Sequence, residues 1–467
     1  MTAMLISHLG DAFDQVQDGL LHGPITPKVA PEEVRRYLAE RYDFNRPIAL
    51  DEIIEDVEGM LQRWQVQVTH PRYFGLFNPS VHLASVVAET LIAMYNSQLA
   101  SWRTSPAGNE IEKHTLGWLT EKFGLPVESL ATFTSGGSEA NHSAVSVGLT
   151  KTFREYGRFG IRAISGQPVI YVTAQAHHSY GKIAHMTGLG REAVHIVDTT
   201  DDLKMDIADL ERQVTEDRKN GLIPFLVVGT AGTTAAGVID PLEDISRFCG
   251  AQGLWFHADA AWGGAAIISP KLKRHLAGIE NADSITCDAH KWFSVSMGCG
   301  MFFCRHPESV LETFRAETPY MPGKAAGMAV DPYTATMQWS RRFIGLKLFT
   351  VLANHGEARQ AEIIEGQAEI GNFLRELLTR SGWRIVNSTP LPAVCFTREG
   401  LDQTKLVSSI LERQIAWISE TNLRGAPVLR MCITSFRTTR DDIHAVVDQL
   451  NELATEQGSV VAASVRN

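Results

Sequence analysis

Short apolar runs rich in β-branched and aromatic residues alternate with amphipathic stretches from about residue 130 of the chain. The stretches at 206–221 and 240–253 have apolar residues at helical spacing and end in a glycine, as helices commonly do. Strands that alternate with helices indicate a mostly parallel sheet covered on both faces. The predicted strands are LATFTS, PVIYVTA, AVHIVD, PFLVVGTAG, LWFHADA, DSITCDA and GMFFC.

The pattern differs on either side of this region. Residues 1 to about 65 predict helices, with Pro31 at a helix start and a second helix over LDEIIEDVEGMLQRW. A long helix is predicted over 337–358, and beyond about residue 360 the order is helix, strand, strand, helix, strand, helix. The predicted organisation is therefore a helical segment (1–65), a large α/β domain (66–350) and a small α+β domain (351–467).

Composition narrows the class of protein. The chain has 467 residues, 44% hydrophobic, with 43 basic and 53 acidic residues and a net charge of -10. No long block of Lys and Arg appears, which argues against nucleic-acid binding and favours a small-molecule partner. No apolar run is long enough to cross a bilayer, and no signal peptide is evident, so no membrane association is expected. The six cysteines lack zinc-type or CxxC spacing, which predicts reduced thiols and a cytoplasmic protein.

A glycine-rich turn follows the first predicted strand. In TSGGSEANHSAV, Gly136 and Gly137 lead through Ser138 into a helix. Glycines let the backbone approach an anion, and a helix N-terminus offers free N–H groups, so this segment is a candidate cradle for one phosphate. The alternative is an ordinary turn in which Ser138 caps the helix. The pattern matches neither a Walker A loop nor GxGxxG, which disfavours a nucleotide.

Three further candidates follow later strands. Asp259 could pair with a protonated ring nitrogen of a heterocycle, or it could be a turn former. Lys291 could point to water, but a lysine shielded from water or close to other cations is a nucleophile toward carbonyl groups. His177 could stack on an aromatic ring, whereas a metal site made of His177, His178 and His185 has no carboxylate at ligand spacing. We therefore expect no metal.

A phosphate cradle, an aspartate, a lysine and a stacking histidine together indicate pyridoxal 5′-phosphate. The sequence also resembles the group II pyridoxal-phosphate decarboxylases, relatives of aromatic-L-amino-acid, glutamate and diaminobutyrate decarboxylases. The resemblance implies fold type I of the pyridoxal-phosphate-dependent transferases (aspartate aminotransferase-like). It is carried in order by HPRYFGLFNPS, ASWRTSPAGNEIE, SGGSEAN, HADAAWGG, DAHKW and VLRMCITSFRTT.

The resemblance implies a role for each site residue. Lys291 would hold the cofactor through an imine, Asp259 would bind its ring nitrogen, and His177 would stack on the ring. Asp288 and Ala289 stand where many relatives have Asn-Pro, so the phosphate contact made by the amide of that Asn is absent from this sequence. The remaining cofactor-binding residues implied are Gly137, Ser138 and His290 at the phosphate and Thr234 near the ring.

Relatives protonate the product carbon with a tyrosine on a mobile loop. The segment KAAGMAVDPYTATM is rich in Gly and Ala, as suits a lid, and Tyr333 is its best match for that tyrosine. The spacing from Tyr333 to Arg341 and Arg342 is one residue shorter than the resemblance implies. An ordinary exposed loop tyrosine is the alternative.

The candidate substrate pocket differs from that of aromatic decarboxylases. Leu76 and Ala100 stand where those enzymes tend to have aromatic residues, and Gln98 and Arg103 are polar additions. Arg103 could bind a second substrate carboxylate or form an ion pair at a subunit interface. The resemblance also implies a homodimer with shared active sites.

The predicted function is decarboxylation of an L-amino acid, with an aromatic or other large side chain, to the amine and CO2. Tyr333 and His177 argue against the alternative of a decarboxylating oxidative deaminase, which makes an aldehyde on the same scaffold. A carbon–carbon lyase that resembles sphingosine-phosphate lyase is a further alternative. A non-catalytic scaffold is disfavoured, since packing needs neither Lys291 nor Asp259.

Overall fold

The computed structural model describes residues 19–316 and 330–464, with side chains to residue 458. These residues form two compact units. One unit comprises Val81–Asn372 and Val386–Cys395, and the other the described part of Met1–Ser80, Phe373–Ile385 and Phe396–Asn467. The boundaries predicted at 65 and 350 stay predictions. Residues 1–18 of the predicted helical segment and 324–329 of the predicted lid lie outside the described residues.

The larger unit contains a seven-stranded sheet. Its order is β1-β7-β6-β5-β4-β2-β3, and β7 is antiparallel to both of its neighbours while the other pairs are parallel. All seven predicted strands, and the mostly parallel sheet, are confirmed. The strands are β1 Leu130–Thr134, β2 Pro168–Thr173, β3 Val194–Val197, β4 Ile223–Thr230, β5 Trp255–Asp259, β6 Ser284–Asp288 and β7 Gly300–Cys304.

Thirteen α-helices are delimited within the described residues. Pro31 begins the first, and the predicted glycines end two others, with φ of 79° at Gly221 and 68° at Gly253. They are α1 Pro31–Arg41, α2 Leu50–Trp64, α3 Leu83–Tyr95, α4 Pro106–Lys122, α5 Gly137–Thr152, α6 Tyr156–Phe159, α7 Ser179–Met186, α8 Ile207–Lys219, α9 Leu242–Gln252, α10 Pro307–Thr313, α11 Leu346–Arg380, α12 Gln403–Glu412 and α13 Arg440–Ser464. Short 3-10 turns are Gly160–Ala163, Arg191–Ala193, Gly263–Ile268, Lys273–Leu276, Ile279–Asn281 and Pro332–Thr334.

Helix α5 packs closely on the sheet because small residues line its buried face. Ala140 and Ala144 are fully buried in the same cluster as Ile170 and Leu226 of the strands. A Cβ atom on Gly148 would approach the Phe225 ring to 3.0 Å. This close approach brings the N-terminus of α5 up to the carboxyl ends of the strands.

The predicted helix over 337–358 is partly wrong. Helix α11 begins at Leu346 and is interrupted at Gly356, whose φ is 69°. The guanidinium of Arg341 is buried, where it donates to the Glu112 carboxylate at 2.6 Å and to the Phe133 carbonyl at 3.1 Å. These long-range bonds hold 337–345 in an irregular path, since a buried cation needs its partners more than the segment needs helical bonds.

A second sheet has the order β10-β11-β9-β8. The sequence predicted three of these strands and missed β10, because its polar residues gave it little apolar signal. It forms an antiparallel hairpin with β11 through a turn at Arg424 and Gly425, both at positive φ. The strands are β8 Arg384–Ile385, β9 Ala393–Thr397, β10 Ser419–Leu423 and β11 Ala426–Cys432.

Two broader expectations concern the thiols and the membrane. All six cysteines are buried and free, which confirms the prediction of reduced thiols. Among the helices of the described residues, none has both the length and the apolar character needed to cross a bilayer.

Candidate active site

Five predicted site residues follow strands that end at one edge of the seven-stranded sheet. Strands β1, β2, β4, β5 and β6 run in the same direction, so their carboxyl ends meet there. The residues that end or follow these strands are, in chain order, Gly137, His177, Thr234, Asp259 and Lys291.

Asp259 is the last residue of β5 and is 3% exposed. Its Oδ2 accepts hydrogen bonds from Asn141 Nδ2 at 2.9 Å and from the Tyr180 hydroxyl at 3.2 Å. Its Oδ1 accepts from the backbone N–H of Ala261 at 3.2 Å. Burial, with the Asp259 charge adding, raises the pKa of Tyr180 well above its ordinary value, so the phenol keeps its proton and donates. Asp259 is therefore a fixed hydrogen-bond acceptor.

Lys291 lies on the turn after β6 and is partly exposed. Its Nζ is 3.0 Å from Oδ2 of Asp288, a carboxylate that is almost fully buried. The other oxygen, Asp288 Oδ1, is buried and has no hydrogen-bond partner among the described residues. Lys291 is thus partly exposed and has a counter-charge at 3.0 Å, so an amine can be held at the end of a buried strand.

His177 presents its ring at the same edge. Its Nδ1 accepts from the backbone N–H of Ser179 at 3.2 Å, which orients the imidazole. Desolvation lowers its pKa, while the charges of Asp259 and Lys291 act on it in opposite directions, so these three side chains lie near one another. Because its pKa is lowered, the His177 imidazole presents a neutral flat ring near neutral pH. Among the described residues, no group of three His, Cys, Asp or Glu side chains could hold a metal ion.

The glycine-rich turn forms a narrow cradle at the start of α5. Gly136 is the N-cap of α5, and no side chain caps the helix, so the alternative of Ser138 as the N-cap is wrong. A Cβ on Gly137 would lie 2.9 Å from Asp288 Oδ2, and one on Gly136 would lie 3.3 Å from the His290 ring. His290 Nδ1 accepts from the backbone N–H of Cys299 at 3.1 Å, which fixes its ring.

These features fit pyridoxal 5′-phosphate. The cradle has room only for glycine, free N–H groups of a helix terminus face it, and His290 flanks it. Lys291 supplies an amine, and Asp259 supplies an acceptor for a ring N–H. Two carboxylates lie beside the cradle. The charge of Asp288 is offset by its ion pair with Lys291, and Glu139, in the first turn of α5, accepts from the Ser135 backbone N–H at 2.7 Å and from the Gln338 amide.

The remaining catalytic candidate, Tyr333, lies in the turn Pro332–Thr334. Its backbone N–H donates to the Ala100 carbonyl at 3.0 Å, and its ring lies 5.0 Å from that of Trp339. The Asp331 carboxylate accepts from the Trp102 backbone N–H at 2.9 Å. The segments around residues 100 and 333 are therefore joined to each other by hydrogen bonds.

The predicted pocket residues differ in their surroundings. Ala100 is fully buried, and the Gln98 side chain turns back to accept from the Ala100 backbone N–H at 2.7 Å. Arg103 is exposed and forms no ion pair within the part of the chain that the structure describes. Thr234 lies in the turn after β4, where the Gly237 backbone N–H donates to the Thr233 carbonyl. Leu76 belongs to the other unit and is 49% exposed.

Three residues that contact Asp259 directly or through one bond were missed by the sequence reasoning. Asn141 lies one helical turn after Gly137, and His257 lies two residues before Asp259 on the same face of β5. Tyr180 lies three residues after His177. Helical periodicity from Gly137 could have found Asn141, and strand periodicity from Asp259 could have found His257.

Comparison with known proteins gives the family context. Residues 31–399 match the family model described as the pyridoxal-dependent decarboxylase conserved domain. Tyrosine decarboxylase 4 of Petroselinum crispum is 27% identical over 477 residues, covering 97% of this chain and 92% of that protein. Phenylacetaldehyde synthase of Arabidopsis thaliana is 25% identical and covers 92% of this chain and 90% of that protein.

Solved structures share the fold. The Oryza sativa TDC structure with PLP and tryptamine has a TM-score of 0.90 and 22% identity, with 98% of each chain covered. The glutamate decarboxylase domain of a Vibrio parahaemolyticus protein has a TM-score of 0.85 and 26% identity, covering 97% of this chain and 96% of that chain. Fold type I is thereby confirmed.

Proposed function

Because the chain belongs to the pyridoxal-dependent decarboxylase family and is therefore an amino-acid decarboxylase that uses pyridoxal 5′-phosphate, we propose that its substrates are L-amino acids with an aromatic or other large side chain. The observation that carries the chemistry is that the Asp259 acceptor and the Lys291 amine both lie at the same edge of the sheet, after the neighbouring strands β5 and β6. The likeness to a tyrosine decarboxylase over 97% of this chain supports the substrate class.

The site residues would divide the work. When bound, pyridoxal phosphate supplies an aldehyde that attaches to amines and a ring that accepts an electron pair as CO2 departs. Lys291 would hold the cofactor covalently. Asp259 would accept a hydrogen bond from the protonated ring nitrogen. The neutral ring of His177 would cover one face. Gly137, Ser138 and His290 would hold the phosphate, and Thr234 would lie near the ring.

Tyr333 would return a proton to the substrate carbon after CO2 leaves. Its segment is tied to residue 100 by the backbone bond to the Ala100 carbonyl. Proton delivery from a fixed position favours the amine over oxidation, because the carbanion is neutralised before it can react with O2.

The residues predicted to line the substrate pocket would set the choice of substrate. Ala100 is fully buried, so a larger side chain at this position would have to displace its neighbours, and Leu76 remains a pocket candidate from the sequence. Arg103 is an exposed cation for which the described residues provide no counter-charge, so a second carboxylate on the substrate is a testable alternative. Gln98 would act by shaping the backbone, since its side chain bonds to Ala100.

A homodimer with shared active sites is part of the proposal. Helix α3 exposes an apolar stripe at positions four and three residues apart, which is unusual for a surface helix. A second copy of the chain would cover it. The stripe consists of Leu83, Val87, Leu91 and Met94. A cytoplasmic location, with no membrane and no nucleic-acid partner, is proposed from the free buried thiols and the acidic charge balance.

The first experiment is a product assay. Purified holoenzyme would be given aromatic, acidic and diamino L-amino acids, with CO2, amine, aldehyde and peroxide all quantified. We expect equal amounts of CO2 and amine, from the aromatic class above the others. CO2 with aldehyde, ammonia and peroxide in place of amine would instead favour an aldehyde synthase, the reaction named for one relative. Turnover only of acidic substrates would overturn the aromatic proposal and assign Arg103 to selection.

Tyr333→Phe tests the proton donor. We expect amine formation to fall about 10²-fold or more, with CO2 release falling less and aldehyde appearing, because the phenol proton is lost while the ring remains. Trp339→Phe, which alters the neighbouring ring and leaves the Tyr333 phenol in place, is the matched control. Unchanged amine output from Tyr333→Phe would remove Tyr333 from the mechanism.

Leu91→Glu tests the second copy. A charge in the middle of the stripe would have to be buried in a dimer, so we expect light scattering to show monomers. Ala93→Glu, which adds the same charge at an exposed position of the same helix outside the stripe, is the control. Persistence of the dimer in Leu91→Glu would mean that another surface joins the subunits.

A further inference from the structure

Behind Asp259 lies a chain of buried polar side chains that no packing argument requires. Asn141, His257 and Ser284 are each at most 1% exposed, and Trp255 is 5% exposed. A polar group in such surroundings is costly unless it is hydrogen-bonded, and all four are. Their bonds run from the indole of Trp255 to the carboxylate of Asp259.

Strand geometry explains why they meet. Trp255, His257 and Asp259 alternate along β5 and so project from the same face of the sheet. Ser284 lies on β6 in register with His257. Asn141 reaches the same face from α5.

The direction of each hydrogen bond can be assigned from Asp259 backward. The carboxylate only accepts, so Asn141 must turn its NH2 toward it, at 2.9 Å. The Asn141 Oδ1 then faces His257 Nε2 at 3.1 Å and can only accept. His257 Nε2 must therefore carry the proton. The Thr286 hydroxyl, at 3.5 Å from the same nitrogen, is a distant second acceptor.

The same logic continues to the other end. Burial lowers the pKa of His257 to about 4, so near neutral pH its ring has one proton and its Nδ1 is bare. Nδ1 accepts the hydroxyl proton of Ser284 at 2.8 Å, and the Ser284 oxygen accepts from Trp255 Nε1 at 2.9 Å. Every bond in the chain points toward Asp259. It starts at a group that can only donate and ends at one that can only accept.

We propose that Trp255, Ser284, His257 and Asn141 form a positioning relay that holds Asp259 as the acceptor for the cofactor's ring nitrogen and thereby keeps that nitrogen protonated. The inference rests on the proposed role of Asp259. Hydrogen bonds aligned in one direction polarise one another, and the polarised Asn141 amide donates more strongly to the carboxylate. The relay also fixes the carboxylate's orientation, since a loose carboxylate could turn away from the ring.

The test compares two replacements of His257 in holoenzyme containing cofactor labelled with ¹⁵N at the ring. His257→Gln keeps one donor and one acceptor, whereas His257→Phe fills the space without either. We expect the ring nitrogen of His257→Phe to lose its proton at a pH lower by about one unit, and the cofactor to dissociate about tenfold faster. His257→Gln should stay within about twofold of the wild type.

Asn141→Ala should resemble His257→Phe, and it serves if His257→Phe does not fold. A merely structural role predicts lower thermal stability in both variants with the ring-nitrogen signal unchanged, which would overturn the relay. Equal behaviour of His257→Gln and His257→Phe would also overturn it. Independently of any variant, NMR of the holoenzyme should show a neutral His257 protonated at Nε2, and a proton at Nδ1 would contradict the assigned directions.

The relay and the proposed function can fail separately. Ring protonation and cofactor release are measured without any substrate. A wild type that binds cofactor with a protonated ring but decarboxylates no aromatic amino acid would refute the substrate proposal and leave the relay standing.

Discussion

The carboxyl ends of β5 and β6 each carry an aspartate, and the two carboxylates have different surroundings. Asp259, at the end of β5, accepts three hydrogen bonds from neutral donors. Asp288, at the end of β6, faces the Lys291 ammonium at 3.0 Å and leaves Oδ1 without a partner among the described residues. Burial alone does not distinguish them, since both are at most 3% exposed.

The difference shows how one sheet edge can provide two kinds of carboxylate. Neutral donors hold Asp259 in place without offsetting its charge, which remains available to the ring nitrogen of the proposed cofactor. The charge of Asp288 is offset by the ion pair with Lys291, the amine proposed to hold the cofactor. We therefore expect the β5 end to be intolerant of change and the β6 end to be adjustable.

Asp259→Asn should have the largest effect. The amide keeps the shape of the carboxylate but removes its charge, so a ring N–H in front of it loses most of its stabilisation. We expect kcat/KM for CO2 release to fall by about 10²- to 10³-fold. Absorbance of bound cofactor, measured in parallel, checks that the variant still takes it up. A loss under tenfold would show that the two strand ends are less different than their contacts imply.

Asp288→Asn should have a smaller effect, and it should strengthen cofactor binding. It removes a negative charge beside the glycine cradle and offers an amide donor where Oδ1 has no partner. We expect the cofactor's dissociation constant to fall by up to about fivefold, which corresponds to about 1 kcal/mol, with activity within tenfold of the wild type. Equilibrium dialysis of the reconstituted enzyme measures this. Weaker binding would mean that the ion pair with Lys291 outweighs repulsion of the phosphate.

The last effect is on the acid stability of the β5 end rather than on activity or cofactor binding. The pKa of His257 is about 4 in the folded protein and 6.5 is its ordinary value, so the unfolded chain binds the proton first as the pH falls. The contribution of neutral His257 to the free energy of unfolding is fully present above pH 6.5 and is lost between pH 6.5 and 4. At pH 5 this loss amounts to about 2 kcal/mol.

His257→Gln, which cannot titrate, isolates this contribution. Between pH 7 and pH 5, the denaturant midpoint of the wild type should move further than that of the variant. Equal shifts would show that His257 is not the group that takes up the proton.

Much of the fold followed from local pattern. The seven strands of the larger sheet carry continuous apolar runs, and Gly221 and Gly253 end helices where the chain needs positive φ. The segment 337–345 departs from its helical pattern because Arg341 is held by Glu112, 229 positions earlier in the chain. Strand β10 was missed because a polar strand is stabilised by its partner strand more than by its own residues.

By itself, the sequence determined which residues end the strands, and with them Gly137, His177, Asp259 and Lys291 as candidates, because strand periodicity and glycine conformation are local properties. Only the tertiary structure decided what surrounds each of them. Asn141 and Asp259 are 118 positions apart, and nothing in their local sequence says that one donates to the other. Hydrogen bonds act only at about 3 Å, so they depend on which atoms come together when the sheet and α5 pack. That packing decides the pairing of Lys291 with Asp288, the tautomer of His257 and the direction of the bonds behind Asp259.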